Sequence, residues 1–274
     1  MNKPWKIEFW GTRGSVPVAD SRFLEYGGNT SCVSLEWDEG LLIFDGGSGL
    51  IQLGRALSDR NVNKRLDILL SHFHMDHIQG LPGFQQFYDP DTEIHLYGEG
   101  GDGISFAGRL ETVIGRPYWP VGFQDFKADV FFHEIRAGES FSIRDGIRVS
   151  TLRGRHPGGT ILYRADMPGR SAVYGLDCEL DRDMLDRLAE FAGGAGLIIC
   201  DGNFTEEDMK RYQGWGHSSW KQGIALRRAA GALKAVVTHF SWEYTDKFLR
   251  EQEKLAIAED PASCFAKERM ELWL

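Results

Sequence analysis

Five short apolar runs in this sequence each stop on a side chain that can hold a metal ion. That recurrence limits the fold more than any other feature. Residues 41–44 run into Asp45, residues 66–71 into His72, residues 171–176 into Asp177, residues 197–200 into Asp201, and residues 233–238 into His239. Short apolar runs with a polar stop predict buried strands. In layered α/β folds, ligand-binding groups collect where strands end and loops converge. The pattern therefore predicts a site assembled from several strand ends. Helices are expected between some of them. Ser219 and Gln222 have capping-box spacing, ahead of a helix through Ile224, Leu226 and Ala230 that stops at Gly231. Met184, Leu185, Leu188 and Phe191 mark the buried face of another helix over residues 181–191.

The densest chemistry is Ser71-His72-Phe73-His74-Met75-Asp76-His77, directly after a strand. Neutral imidazole and carboxylate are the ligands expected for zinc and similar divalent ions. While the chain stays extended, His72 and His74 point the same way. It must turn just afterwards, so that Asp76 and His77 address a neighbouring point. Four ligands within six residues are more than one ion needs, and two adjacent ions explain the density better. The competing explanation is a polar surface cluster. Against it stands the placing of three of the chain's eight histidines within six residues behind an apolar strand.

Charge narrows the partners. The formal net charge is −9, from 40 acidic and 31 basic residues. A protein that grips a nucleic-acid backbone usually shows a basic stripe, and this balance gives no global sign of one. A small anionic molecule is the expected substrate, not a long nucleic acid. No apolar run approaches the roughly 20 residues that span a bilayer, and the first residues lack the apolar stretch of a secretory signal. No membrane association and a cytoplasmic location are therefore expected. Cys32, Cys178, Cys200 and Cys264 contain no CxxC pair, and the three that sit in or beside apolar runs read as small core residues. Nothing marks a linker, so residues 1–274 are read as one domain.

The H-x-H-x-D-H string resembles the signature of the metallo-β-lactamase superfamily, and later residues follow that family's order. The resemblance implies a four-layer αββα sandwich of two mixed sheets, with metals at the sheet edge. It implies that His72, His74 and His156 hold one ion and Asp76, His77 and His239 the other, with Asp177 shared. Two divalent ions follow as cofactors, zinc first, with manganese or iron as alternatives. Asp45 matches a position that hydrogen-bonds a metal-bound histidine, although it could equally cap a strand. His95 and His133 have no such context and read as surface or strand residues. A homodimer would be common for this family.

Within the superfamily, the sequence is most similar to the phosphodiesterase branch. The segments 9–17 and 27–31 look like that branch's opening. His217, in Gly216-His217-Ser218-Ser219, is similar to the His-Ser-Thr motif of ribonuclease Z, where the histidine is thought to protonate the leaving oxygen. Asp201 stands where that family has the glutamate that orients this histidine, one methylene shorter. The alternative for His217 is packing on Trp215 or Trp220. Only 21 positions separate His156 from Asp177, where ribonuclease Z generally carries its tRNA-clamping arm. The expected activity is hydrolysis of a small phosphodiester, such as a cyclic nucleotide. A hydroxide bridging the metals would attack, Asp76 would orient it, and His217 would act as general acid. Lactone or thioester hydrolysis is the rival, and a non-catalytic metal-binding sensor a more distant one. Arg13 either places a cation near a phosphate or pairs with a surface acid. Arg153 and Arg155 either bind anionic substrate or stay solvated. Residues 78–132 are expected to wall the pocket, with Phe84, Phe87, Tyr88, Tyr118 and Trp119 as core or stacking rings, and Trp242 is another candidate wall.

Overall fold

Leu42 and Phe44 face one side of their strand and Leu41 and Ile43 the other, and both sides are buried. Burial on two faces is why the strand reads as a continuous apolar run rather than an alternating one. The same holds in the second half, where Leu197 and Ile199 enter one cluster and Ile198 and Cys200 another.

The computed structural model describes residues 4–37, 40–58, 64–144 and 146–274. Its first half contains β1 (Lys6–Gly11), β2 (Cys32–Trp37), β3 (Gly40–Phe44), α1 (Gly49–Ser58), β4 (Arg65–Leu69), α2 (Met75–Ile78), β5 (Glu93–Gly98), α3 (Phe106–Val113) and β6 (Asp129–Glu134). The second half contains β7 (Ser140–Ile143), β8 (Ile147–Gly154), β9 (Thr160–Met167), β10 (Arg170–Gly175), α4 (Arg182–Phe191), β11 (Leu197–Asp201), α5 (Glu206–Met209), α6 (Trp220–Ala230), β12 (Lys234–Thr238), α7 (Asp246–Glu259), β13 (Ser263–Phe265) and β14 (Glu271–Trp273).

Among the described residues the strands form two seven-stranded sheets, in the orders β14-β1-β2-β3-β4-β5-β6 and β13-β12-β11-β10-β9-β8-β7. Each is mixed. In the first, β3 to β6 are parallel and the other pairings antiparallel. In the second, β10 to β13 are parallel and β7 to β10 antiparallel. One apolar cluster lies between the sheets and takes Phe9, Leu35 and Phe44 from the first and Tyr163, Tyr174 and Ile199 from the second. A second cluster packs α4, α6 and α7 on the outer face of one sheet, and a third packs α1 and α3 on the other. The layering is the expected αββα sandwich. No helix among the described residues is long and apolar enough to cross a membrane.

Helix boundaries follow local chemistry. Ser219 accepts from Gln222 N and Gln222 answers with its own side chain, and α6 ends on Gly231 in the left-handed region at φ 63°. Asp181 lies just outside α4 and caps it by accepting from Met184 N.

Candidate metal centre

The parallel strands β3 and β4 of one sheet and β10, β11 and β12 of the other all end toward one edge of the sandwich. Three of the residues just past these ends have positive φ: Asp45 at 59°, Asp177 at 52° and His239 at 63°. Asp and His enter this region more readily than most side chains. The conformation still costs on the order of 1–3 kcal/mol per residue and persists where its surroundings enforce it. Here it turns each side chain inward as the strand stops. His72 and His74 leave β4 on an extended segment, and His74 is the N-cap of α2, whose single turn carries Asp76 and His77. The change from extended chain to one helical turn lets four ligands from six residues face two points.

Two clusters result, His72 with His74, His156 and Asp177, and Asp76 with His77, Asp177 and His239. Asp177 belongs to both. Its Oδ2 lies 2.8 Å from His77 Nε2 and 3.2 Å from His72 Nε2, and its Oδ1 lies 3.0 Å from His239 Nε2. Asp76 Oδ2 is 3.2 Å from His239 Nε2, and His156 Nε2 is 3.0 Å from His74 Nδ1.

The donor set fits divalent cations. Buried His72 Nε2 and Asp177 Oδ1 have no hydrogen-bond partner, a costly condition for polar atoms away from water. His77 Nε2 and His239 Nε2 point at each other across 3.2 Å, where two lone pairs would repel. Burial holds the imidazole of His72 well below its usual pKa and lowers those of His74 and His156, keeping them neutral as ligands must be. Burial would raise Asp76 and Asp177, but the neighbouring His77 and His239 outweigh it and hold both well below the carboxylate range. His77 is driven the other way: burial lowers it, yet Asp177, Asp76 and Asp45 raise it well above normal. Converging lone pairs and carboxylate charge thus make a deeply negative centre that calls for cations.

Outer partners orient the ligands. Asp45 Oδ2 lies 2.6 Å from His77 Nδ1, which leaves Nε2 for a metal. The same buried carboxylate accepts from Ser71 N, Ser71 Oγ and Tyr174 OH. Of its two sequence readings, this geometry is that of the orienting carboxylate. His156 Nδ1 donates to Gly216 O at 2.9 Å, the Asn203 amide lies 3.2 Å from His239 Nδ1, and Ser15 N donates to Asp76 Oδ2 at 2.6 Å. Asn203, Ser15 and Gly216 carry no motif of their own that would mark them as supports. A retrospective signal is the pair of small residues Gly14 and Gly216: a Cβ at Gly14 would stand 2.6 Å from the ring of His239, and one at Gly216 2.2 Å from that of His156.

Asp201 and His217 form a third overlapping cluster with Asp177 and His239. His217 Nδ1 lies 2.8 Å from Asp201 Oδ2, so the shorter carboxylate reaches the ring. Burial pushes this imidazole down, but Asp201, with Asp177 and Asp76 behind it, raises it to about 9. The ring lies beside those of His156 and His239, at centroid distances of 5.2 and 5.3 Å.

The structure corrects one expectation and chooses among the others. Arg13 neither faces a phosphate nor sits in a surface pair: it is fully buried and donates to the carbonyls of Gly27, Ser241 and Tyr244. There it ties the loop carrying Ser15 to the chain behind His239. Arg153 and Arg155 are paired with Glu99 and Asp181. Phe84 and Phe87 belong to the core under α1, while Tyr88, Tyr118 and Trp119 are exposed. Segment 78–132 does wall a cavity, but with Glu99, Gly100, Gly101, Asp102 and Arg109, against Phe73 and residues 157–159. This cavity measures about 310 Å³ and opens onto His72 and His74. His95 and His133 lie on adjacent strands, 2.7 Å apart through Nδ1 and Nε2 and away from the metal ligands.

An αββα sandwich with two ligand clusters joined by one aspartate at its edge defines a metal-dependent hydrolase. The chain belongs to the β-lactamase superfamily: the family model described as the beta-lactamase superfamily domain matches residues 41–240. Among curated relatives, a ribonuclease Z from Haloarcula marismortui is 26% identical over 284 residues, covering 87% of this chain and 87% of that protein. A ribonuclease Z from Bacillus subtilis is 23% identical over 315 residues, covering 97% of this chain and 98% of that protein. The solved metallo-β-lactamase fold protein YhfI from Bacillus subtilis matches with a TM-score of 0.75 at 18% identity, covering 99% of this chain and 100% of that one. The short form of human tRNase Z matches with a TM-score of 0.71 at 18% identity, covering 97% and 98%. At these identities the structural likeness is one of fold.

Proposed function

We propose that this protein is a dinuclear phosphodiesterase that hydrolyses a small anionic phosphodiester, a cyclic nucleotide or a similar molecule. The observation that carries this reading is the His217–Asp201 pair beside the shared Asp177. A proton donor next to two cation sites suits a reaction in which an alkoxide must depart. Thioester hydrolysis expels a thiolate that departs without a proton, and the lactone- and thioester-cleaving branches usually do without the His217 arrangement.

In this reading His72, His74 and His156 hold one ion, Asp76, His77 and His239 the other, and Asp177 both. Bound divalent ions would supply Lewis acidity toward the phosphoryl group and acidify a water. The protein's own residues do the rest. Ser15 N–H fixes Asp76 facing the second cluster. Asp201 keeps His217 hydrogen-bonded through Nδ1, so that Nε2 delivers its proton to the leaving oxygen, a contribution of about 10²–10⁴-fold. His, Asp and no thiolate favour zinc. A small substrate is supported by the 310 Å³ cavity, by the net charge of −9 and by the β9–β10 hairpin that fills the stretch between His156 and Asp177. A cytoplasmic, single-domain enzyme completes the reading.

The test is hydrolysis of bis(p-nitrophenyl) phosphate before and after chelation, with zinc or manganese then restored. Turnover lost on chelation and regained with metal is the expected result. A protein that holds two metal equivalents and leaves this ester intact would refute the assignment.

A further inference from the structure

Trp215 is 60% exposed and immediately precedes Gly216 and His217. Its indole does not hang free. It packs on Tyr212 at a ring-centroid distance of 4.9 Å, Tyr212 stacks on Phe204 at 4.8 Å, and Phe204 meets the His217 ring edge-on at 5.5 Å. A continuous line of rings thus runs from the proton donor to an open indole face.

The backbone holds that face in place. Trp215 is flanked by Gly214 and Gly216, both at φ 84°, and both of their amides donate to one oxygen of Glu179, at 2.8 and 3.1 Å. Trp215 N donates to Tyr212 O at 3.1 Å. Gly216 O takes the Nδ1–H of His156, so the backbone that carries the indole is tied to the metal centre as well as to His217. An exposed, rigidly braced indole is what flat-ring recognition requires, because the ordering cost is met before the ligand arrives.

We infer that Trp215 is a specificity-determining residue that stacks a flat aromatic ring, such as a nucleobase, on the leaving-group side of the substrate. The side is set by His217: a group that protonates the leaving oxygen faces the part of the substrate that carries that oxygen, and the line of rings starts there. The inference rests on the phosphodiesterase reading above.

Adenosine serves as probe for that part of the substrate and ribose as its control without an aromatic ring. Binding of each to the zinc-loaded protein is followed by ligand-observed NMR, alongside turnover of bis(p-nitrophenyl) phosphate. Trp215→Ala should weaken adenosine on the order of 5- to 150-fold, the range for loss of one base–aromatic stack. Ribose should be unaffected, and Trp215→Phe should recover most of the loss. Equal adenosine affinity in the parent and Trp215→Ala, with turnover intact, overturns the stacking role and leaves the phosphodiesterase reading standing. A parent without turnover removes that reading and this inference with it. If sedimentation shows that Trp215→Ala only splits a dimer, with adenosine affinity unchanged, the indole is a contact between copies and the inference fails.

Discussion

Gly216 O accepts the Nδ1–H of His156 at 2.9 Å, one residue before the His217 imidazole. One peptide unit thereby orients the His156 ring and leads directly into His217, the proton donor of the proposed reaction. The close approach demands glycine, since φ is 84° and a Cβ would stand 2.2 Å from His156 Nδ1.

Gly216→Ala should therefore act on the metal before the chemistry. Displacing the ring of His156 should weaken zinc at the first cluster about 10–100-fold, the usual cost of losing a ligand's outer partner. Competition with a chromophoric chelator reads this directly. Zinc affinity unchanged from the parent would show that the loop yields without moving His156.

His217→Ala should leave metal stoichiometry intact and lower kcat by about 10²–10⁴-fold on esters with an alkoxide leaving group. With p-nitrophenolate, which departs without a proton, the loss should be much smaller. Equal losses on both ester types would argue that His217 shapes the site rather than donating to it.

Asp45 accepts from His77, Ser71 and Tyr174 while fully buried. In Asp45→Asn the ring of His77 loses its anionic partner. Zinc affinity at the second cluster should fall about 10–100-fold, measured as metal retained after dialysis against graded chelator.

Chelation should also lower the melting temperature. Metal binds the folded site in preference to the unfolded chain, and saturation at 100 times Kd stabilises by about 2.7 kcal/mol. Calorimetry of zinc-loaded and stripped protein tests this; identical transitions would mean the centre is formed and held without cations.

Far from the metals, Arg227 clasps Asp260 through Nε at 2.6 Å and Nη2 at 2.9 Å, and Ser263 donates to the same carboxylate. Burial would raise this carboxyl, but Ser263 and Arg227 outweigh it and hold it below the usual range. A carboxylate depressed by folding adds stability above its unfolded pKa of about 3.9, and that stability disappears as pH falls through the lower folded value. Asp260→Asn should cost roughly 1–3 kcal/mol at pH 7. Urea titrations should show the gap to the parent closing in acid below pH 4, and a gap independent of pH would contradict the charge argument.

Local pattern determined a great deal of this protein. The H-x-H-x-D-H string needs only an extended segment followed by one helical turn to present four candidate ligands, so its meaning is legible over six residues. The strand ends at Asp45, Asp177, Asp201 and His239 were equally visible, because burial on both faces writes a strand as an apolar run and its stop as a polar residue. The cap of α6 was legible for the same reason, since its partners are three residues apart. Only the tertiary structure decided what Arg13, Asn203 and Ser15 touch. Arg13 reaches carbonyls 14 and more than 220 residues away, and Asn203 meets His239 across 36. Of the aromatic residues of segment 78–132, Phe84 and Phe87 are core while Tyr118 and Trp119 are exposed. Such roles depend on which distant backbone a side chain meets, and no periodicity or spacing carries that information.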